Sequence, residues 1–243
     1  MRSLLMIAFL SVASYAQAQN WQWPDSSKNL QVLPPNTRGA ELRKTMSEFI
    51  NGLGVRCVYC HVGEDNKSLS TFDFVSDAKE TKNTARKMMT MVKVINETYI
   101  AHANENKSKP LDVTCVTCHR GAPLPERIED ILASTYATSG IDSVKNQYRS
   151  LRGAYYGSFT YDFREGVLLR TASRIKKATD PSDAIALVEL NNEHFPNSVR
   201  TLITLATLHQ EAKHIDVAKS YAKKVLEIEP GNEAAKKLIE SLK

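Results

Sequence analysis

The chain has 243 residues, of which 42% are hydrophobic and 24% charged, and this composition excludes a protein that is disordered throughout. Its 32 Lys and Arg against 27 Asp and Glu give a formal charge of +5. This mild excess favours acidic protein partners or anionic lipid surfaces, and it does not indicate nucleic-acid binding. The length allows one large domain or two modest ones.

The first eighteen residues have the pattern of an export signal. Arg2 gives a positive start, and Ala16-Gln17-Ala18 is a small-x-small cleavage pattern. The apolar run between them is shorter than the ~20 residues that a membrane span needs, which argues against an uncleaved anchor. We therefore expect residues 1–18 to be a cleaved signal peptide, the protein to be periplasmic, and the mature chain to have no transmembrane segment.

An amphipathic helix is predicted next, between cap candidates at residues 36–37 and the glycines at 52 and 54. Its apolar residues recur at helical spacing: Leu42, Met46, Phe49, Ile50 and Leu53. Met46 lies in the middle of this face, eleven residues before Cys57. It can therefore reach a group bound at Cys57, although a methionine on an apolar face is more commonly a flexible core residue.

All four cysteines belong to two copies of one motif, Cys57-Val58-Tyr59-Cys60-His61 and Cys115-Val116-Thr117-Cys118-His119. Each copy is the C-x-x-C-H pattern of covalent haem attachment. Two thiols three positions apart can reach the two vinyl groups of one porphyrin, and the adjacent histidine can bind the iron as its proximal ligand. We therefore expect two haem c groups, held by Cys57, Cys60, Cys115 and Cys118, with His61 and His119 on the two irons.

Three other uses of the cysteines explain this pattern less well. A zinc site made of two Cys-x-x-Cys pairs has no need of a histidine directly after each pair. A thioredoxin-like redox pair is expected in a βαβ surrounding, whereas the flanking segments here have helical patterns. Two disulfides are the usual arrangement in an exported protein, but they leave both histidines unexplained.

A second helix is predicted before the second motif, from about residue 81 to residue 103. Its apolar stripe consists of Ala85, Met88, Val92, Ile95, Tyr99 and His102. Met88 lies in the stripe and Met91 is one turn further on, so spacing allows either to be the sixth ligand of the second iron, while Met89 is expected to point away. His102 is a further candidate, but at ~1.5 Å per residue it lies about 21 Å from Met88 and cannot bind the same iron.

The character of the chain changes after Pro123-Leu124-Pro125, since no cysteine or methionine follows. Pro196 and Pro230 are 34 residues apart, as are Ala184 and Ala218. This is the period of the tetratricopeptide repeat, in which each repeat is a helical hairpin. We expect one repeat near residues 165–198, a second near 199–232, and a closing helix over 233–243.

Four segments are therefore predicted: the signal peptide 1–18, a di-haem cytochrome c domain 19–125, a helical linker 126–160, and a tetratricopeptide-like domain 161–243. The fold class is all-α, with a small haem-packed multihaem cytochrome c domain followed by an array of helical hairpins. Stacked hairpins present extended concave surfaces. We therefore expect the array to dock a protein partner.

The two motifs and their preceding helices resemble the cytochrome c subunit of photosynthetic reaction centres. The resemblance rests on segments 53–61, 84–96 and 113–125, and it covers about residues 29 to 125. In that family most haems take an axial methionine from the helix that precedes the attachment motif. The resemblance therefore implies Met46 as the distal ligand of the first iron and Met88 as that of the second. Arg56, Arg86 and Arg120 lie near the motifs and are candidates for pairing with haem propionates.

Two features depart from that family. Its reaction-centre members carry four haems in two pairs, whereas this chain has two motifs. His102 matches the position that in those members reaches a haem of the other pair. It is therefore a residue without a haem role, a ligand in place of Met88, or a ligand presented to a partner's haem. The resemblance implies a two-haem half of the larger subunit, equally suited to respiratory and photosynthetic chains.

The expected function is transfer of single electrons by a periplasmic di-haem cytochrome. Its partners are then a protein donor and a protein acceptor, for example in a membrane respiratory or photosynthetic complex. With both irons six-coordinate the protein is a carrier, not an enzyme, and has no catalytic residues. The alternative is a peroxidase-like haem enzyme with one open iron site, which differs from the carrier at the sixth ligand.

Overall fold

The structure is a computed structural model that describes residues 21–24, 27–105, 107–177 and 180–242. The predicted signal peptide, residues 1–18, lies outside the described residues. Within those ranges the regular structure is helical, without a strand, and one isolated bridge joins Val62 to Asp73. The predicted all-α class is confirmed. None of the helices in the described ranges has the length and apolar character needed to cross a membrane.

The chain divides into two compact units, the first ending at Cys115 and the second beginning at Val116. The elements of the first unit are α1 (Gly39–Leu53), two short 3-10 turns (Cys57–Tyr59 and Leu69–Thr71), α2 (Glu80–Val94), a π-helical turn (Ile95–Ile100) and α3 (Ala101–Ala103). The short helix α4 (Cys115–His119) carries the second motif. This division falls inside that motif, and the domain boundaries drawn from the sequence stay a prediction.

Helix α1 ends where the glycine pattern predicts. Gly54 has φ of 65°, in the left-handed region that glycine adopts without strain, and its N–H donates to the carbonyl of Ile50. The chain can therefore leave the helix sharply and enter the first motif three residues later. This short connection keeps Met46 and Cys57 at neighbouring places in the unit.

The first unit has almost no conventional core. Among its described residues only Thr37, Leu42 and Gly52 are buried. Its larger apolar side chains are half-buried or exposed, and several of them line a cavity. Burial of apolar side chains is the main favourable term in folding, so this unit depends on whatever fills the cavity.

The second unit is an array of packed helices. Its elements are α5 (Ile128–Tyr155), α6 (Gly166–Ile175), α7 (Ser182–His194), α8 (Val199–Glu211), α9 (Ile215–Ile228) and α10 (Glu233–Ser241). Each helix packs against the next, so that α6 with α7 and α8 with α9 form hairpins at the two predicted repeats. Helix α10 packs on α9 and α8 as the predicted closing helix. The second unit is thus a tetratricopeptide-like hairpin array.

Helix α5 adds a further layer to this array. Gly140 (φ 74°) interrupts the helix and divides it into two segments. Leu132 precedes the break, Val144 and Tyr148 follow it, and all three are fully buried in one core with α6 and α7. The region predicted as a helical linker therefore supplies a third helical pair, which is about the number that a repeat array needs for stability.

We predict that the two units respond differently to the loss of haem. When Cys57, Cys60, Cys115 and Cys118 are all replaced by alanine, the first unit should lose its fold because few of its side chains are buried, whereas the second unit should keep its helices. Limited proteolysis followed by mass spectrometry should then show cleavage before residue 115 and a resistant C-terminal fragment. Protection of the first unit at the level of the haem-loaded protein would contradict this prediction.

Candidate functional site

The first motif, α1 and α2 surround a cavity of about 500 Å³. This volume is in the range of cofactor sites, roughly 300–1,000 Å³. Met46, Cys57, Cys60 and His61 all line it. The structure thus brings together the four residues that were predicted to hold the first haem.

The cavity walls are mostly apolar. Aromatic and aliphatic side chains come from the segment before α1, from α1 itself and from the loop before α2: Trp21, Trp23, Leu30, Leu33, Phe49, Ile50, Leu69, Phe72 and Phe74. The contributions of Trp21 and Phe74 to the cavity were not predicted from the sequence. The two tryptophans and the Phe-Asp-Phe sequence near the first motif could have indicated an aromatic wall. Two thiols, an imidazole and a thioether around an apolar space fit a covalently bound porphyrin with one central iron.

The loop that carries the first two thiols is fixed to the start of α2. The ammonium group of Lys79 donates to the carbonyl of Val58, and the hydroxyl of Thr81 donates to the carbonyl of Tyr59 at 2.5 Å. Within the motif the N–H of His61 donates to the carbonyl of Cys57 at 2.9 Å. The two cysteines and the histidine are therefore held in a defined backbone conformation by residues 21 and 22 positions further along the chain than their partners.

The imidazole of His61 is prepared to bind a metal. Burial, with smaller contributions from the nearby cations Lys82, Lys79 and Arg86, lowers the pKa of His61 to about 4. The ring is therefore neutral near pH 7, which is the form that coordinates iron. It meets the ring of Phe74 edge to face, with centroids 4.9 Å apart. Its Nδ1 is buried without a hydrogen-bond partner among the described residues.

A cationic network lies at one side of the cavity. Lys82, whose side chain is 11% exposed, donates to the carbonyls of Phe74, Val75 and Ser76 and pairs with Asp77 at 3.0 Å. Arg86, 14% exposed, also pairs with Asp77, at 2.9 Å. Both cations line the cavity, and so does Arg56. Two of the three arginines suggested as propionate partners, Arg56 and Arg86, are thus in a position to pair with an acidic group of a cofactor.

Helix α2 lines the first cavity with Lys82, Ala85, Arg86 and Met89. The sequence assigned the stripe through Met88 to the second haem and placed Met89 away from that stripe, so the contribution of Met89 to the first cavity was not predicted. The predicted apolar stripe runs through residues 85, 88 and 92, but a stripe through residues 85, 89 and 92 fits helical spacing equally well. The π-helical turn at Ile95–Ile100 then interrupts the regular spacing beyond that point. Helical spacing alone does not decide which of two consecutive side chains, about 100° apart around the helix axis, faces a given site.

The candidates for the second sixth ligand lie on other faces of this helical segment. Met88 is 41% exposed and Met91 is 46% exposed, and neither lines the first cavity. The side chain of His102 is 80% exposed, with its Nδ1 3.2 Å from a carboxylate oxygen of Glu105. Met88 as ligand of the second iron, with Met91 and His102 as alternatives, therefore stays a prediction.

The second motif is helical, in contrast to the first. Cys115 is half-buried and Cys118 exposed on α4. The Nδ1 of His119 lies 3.0 Å from the carbonyl oxygen of Ala122. A donated Nδ1–H at that distance fixes the ring and leaves Nε2 for a metal. Cys118 and His119 line a second cavity of about 200 Å³ together with Arg120, Ala122, Leu124, Pro125, Glu126, Arg127, Thr160 and Tyr161.

The four cysteines of the two motifs are not joined to one another. All four lie in the described part of the chain, and none of them is in a disulfide. Among the described residues, no three His, Cys, Asp or Glu side chains are grouped as a metal ion would require.

We predict that the two methionines of the first cavity have different roles. Met46→Leu should remove the thioether–iron charge-transfer band of the first haem and convert part of the spectrum to high spin, because it deletes the sixth ligand. Met89→Leu, in the same cavity, should leave this band intact. Visible and near-infrared absorption of the purified variants measures the difference, and the reverse pattern would assign the ligand to Met89.

Comparison with known proteins gives several partial matches. The chain is 42% identical over 92 residues to the photosynthetic reaction center cytochrome c subunit of Roseobacter denitrificans, 31% over 130 residues to that of Thermochromatium tepidum, and 32% over 108 residues to cytochrome c-554 of Chloroflexus aurantiacus. These matches cover 37%, 53% and 44% of this chain. They cover only 23%, 29% and 23% of the relatives, so the chain spans about a quarter of their length.

Among solved structures, the first TPR of Spaghetti (RPAP3) bound to the HSP90 peptide SRMEEVD matches 47% of this chain and 86% of its own, with 16% identity and a TM-score of 0.32. The family model described as photosynthetic reaction centre cytochrome C subunit matches residues 11–187. This span includes both attachment motifs and continues beyond residue 125, where the resemblance had been expected to end, into α7. The chain therefore belongs to the family of photosynthetic reaction centre cytochrome c subunits.

Proposed function

We propose that this protein is a periplasmic di-haem c-type cytochrome that passes single electrons between protein partners. The observation that carries the proposal is the convergence of Met46, Cys57, Cys60 and His61 on one apolar cavity. A haem c bound there supplies reversible one-electron exchange between ferric and ferrous iron. The chain's own residues attach the group, present a neutral imidazole and a thioether, and exclude water.

The second motif supports a count of two haems. It has the same cysteine and histidine spacing, and its His119 is oriented by the carbonyl of Ala122. The periplasmic location rests on the export signal predicted for residues 1–18. We infer that the redox partners belong to a membrane respiratory or photosynthetic complex, because the named relatives are reaction-centre subunits. The hairpin array is the proposed docking surface, since stacked hairpins offer an extended face.

One observation favours a second candidate, a peroxidase-like haem enzyme. The two methionines proposed near the second haem, Met88 and Met91, are both more than 40% exposed. A second iron that neither methionine reaches would keep an open face for a substrate such as peroxide. An iron at the first site would not have such an open face, because Met46 lines its cavity.

The purified holoprotein tests these functions directly. For a carrier we expect two haems per chain, low-spin iron as isolated, and two reversible one-electron transitions in a redox titration followed by visible absorption. A resting high-spin haem together with peroxide turnover would establish the enzyme instead. A haem-to-protein ratio of one would contradict the di-haem assignment.

We further predict that the charge of Lys79 raises the reduction potential of the first haem. Its ammonium group is fixed to the carbonyl of Val58 inside the first motif, where a positive charge favours ferrous over ferric iron. Lys79→Gln should lower one of the two transitions by on the order of tens of millivolts and leave the other in place.

A matched control is Lys93→Gln, on the same helix, where an exposed lysine lies 4.0 Å from Glu97. This substitution should move neither transition. Equal shifts of both transitions in Lys79→Gln would show a general charge effect and contradict the assignment to the first site.

A further inference from the structure

The chain reverses direction directly after His119, in an unusual backbone conformation. Arg120 has φ of 51° and Gly121 has φ of 89°, so two consecutive residues are left-handed. The N–H of Ala122 donates to the carbonyl of His119 at 2.9 Å. This turn places the carbonyl of Ala122 within 3.0 Å of the His119 ring. A left-handed arginine is intrinsically unfavourable, so the turn depends on contacts from elsewhere.

One such contact comes from the loop after α5, forty residues further along the chain. The hydroxyl of Thr160 donates to the carbonyl of Arg120 at 2.6 Å. A Cβ atom added at Gly121 would lie 3.3 Å from the same hydroxyl oxygen, so the loop packs closely on both residues of the turn. Thr160 also lines the cavity that contains Cys118 and His119.

The loop that carries Thr160 is itself well anchored. The hydroxyl of Ser158 donates to the carbonyl of Tyr155 at 2.6 Å and accepts from the N–H of Thr160 at 3.3 Å. The next residue, Tyr161, packs edge to face on Tyr155, with ring centroids 5.1 Å apart. The position of the Thr160 hydroxyl is therefore set by the helical core of the second unit.

We propose that Thr160 is a positioning residue for the proximal ligand His119. It holds the Arg120–Gly121 turn so that the carbonyl of Ala122 accepts the Nδ1–H of His119, which fixes the ring and makes the imidazole a stronger donor. A stronger donor stabilises ferric iron and lowers the reduction potential of the second haem. The Nδ1 of His61 has no such acceptor among the residues that the structure describes. The proposal rests on the proposed function only in requiring a haem at the second motif.

The test compares Thr160→Val, which removes the hydroxyl at nearly constant shape, with Thr160→Ser, which retains it. In the redox titration of the holoprotein, Thr160→Val should raise one transition, and this should be the transition that Lys79→Gln does not move. The ferric electron paramagnetic resonance signal of the same haem should shift because its imidazole is free to rotate. Thr160→Ser should match the wild type in both measurements.

A matched control is Thr138→Val in α5, an exposed threonine whose described hydrogen-bond partners, the carbonyls of Ser134 and Thr135 and the hydroxyl of Ser139, all belong to its own helix. If Thr160→Val does not fold, Gly121→Ala perturbs the same turn from the other side and should raise the same transition. Unchanged potentials and resonance signals in these variants, or equal effects of Val and Ser, would overturn the role of Thr160. Loss of the second haem from the wild-type protein would instead contradict the proposed function, and this inference with it.

Discussion

The first unit is organised around an apolar cavity that takes the place of a core. Its helices expose or half-bury nearly all of their apolar side chains, and three described residues are buried. A porphyrin attached at Cys57 and Cys60 would supply the apolar surface that these side chains lack. The same contacts that fold the unit would therefore exclude water from the cavity that Met46 and His61 line. Folding and function then depend on one interaction.

The histidines of the two motifs have different surroundings, and this difference is chemical as well as geometric. His61 is half-buried beside Lys79, Lys82 and Arg86, with its Nδ1 lacking a hydrogen-bond partner in the described structure. His119 is half-buried and has a backbone acceptor in the carbonyl of Ala122. Positive charge and a weaker imidazole donor both favour ferrous iron, so a haem held by His61 would be easier to reduce than one held by His119.

The hairpin array also contributes to the surroundings of the second motif. Its core begins with α5, where the break at Gly140 allows two helical segments to pack on α6 and α7. The loop that follows α5 then supplies Thr160 and Tyr161 to the cavity around His119. The second motif thus takes part of its surroundings from a region that shows no haem motif of its own. The family match, which continues to residue 187, is consistent with this arrangement.

The sequence by itself determined the features that depend on local spacing. The C-x-x-C-H motifs, the glycine end of α1 and the position of Met46 follow from residues close together in the chain, and the 34-residue period follows from a repeated pattern. The structure agrees with the helices that they predict. Tertiary structure decided the rest. Met89 and not Met88 faces the first cavity because packing selects one of two stripes that spacing allows equally. The side chain of Lys79 contacts Val58, 21 residues away in the chain, and that of Thr160 contacts Arg120, 40 residues away. No periodic pattern in the sequence indicates which residues meet at such separations.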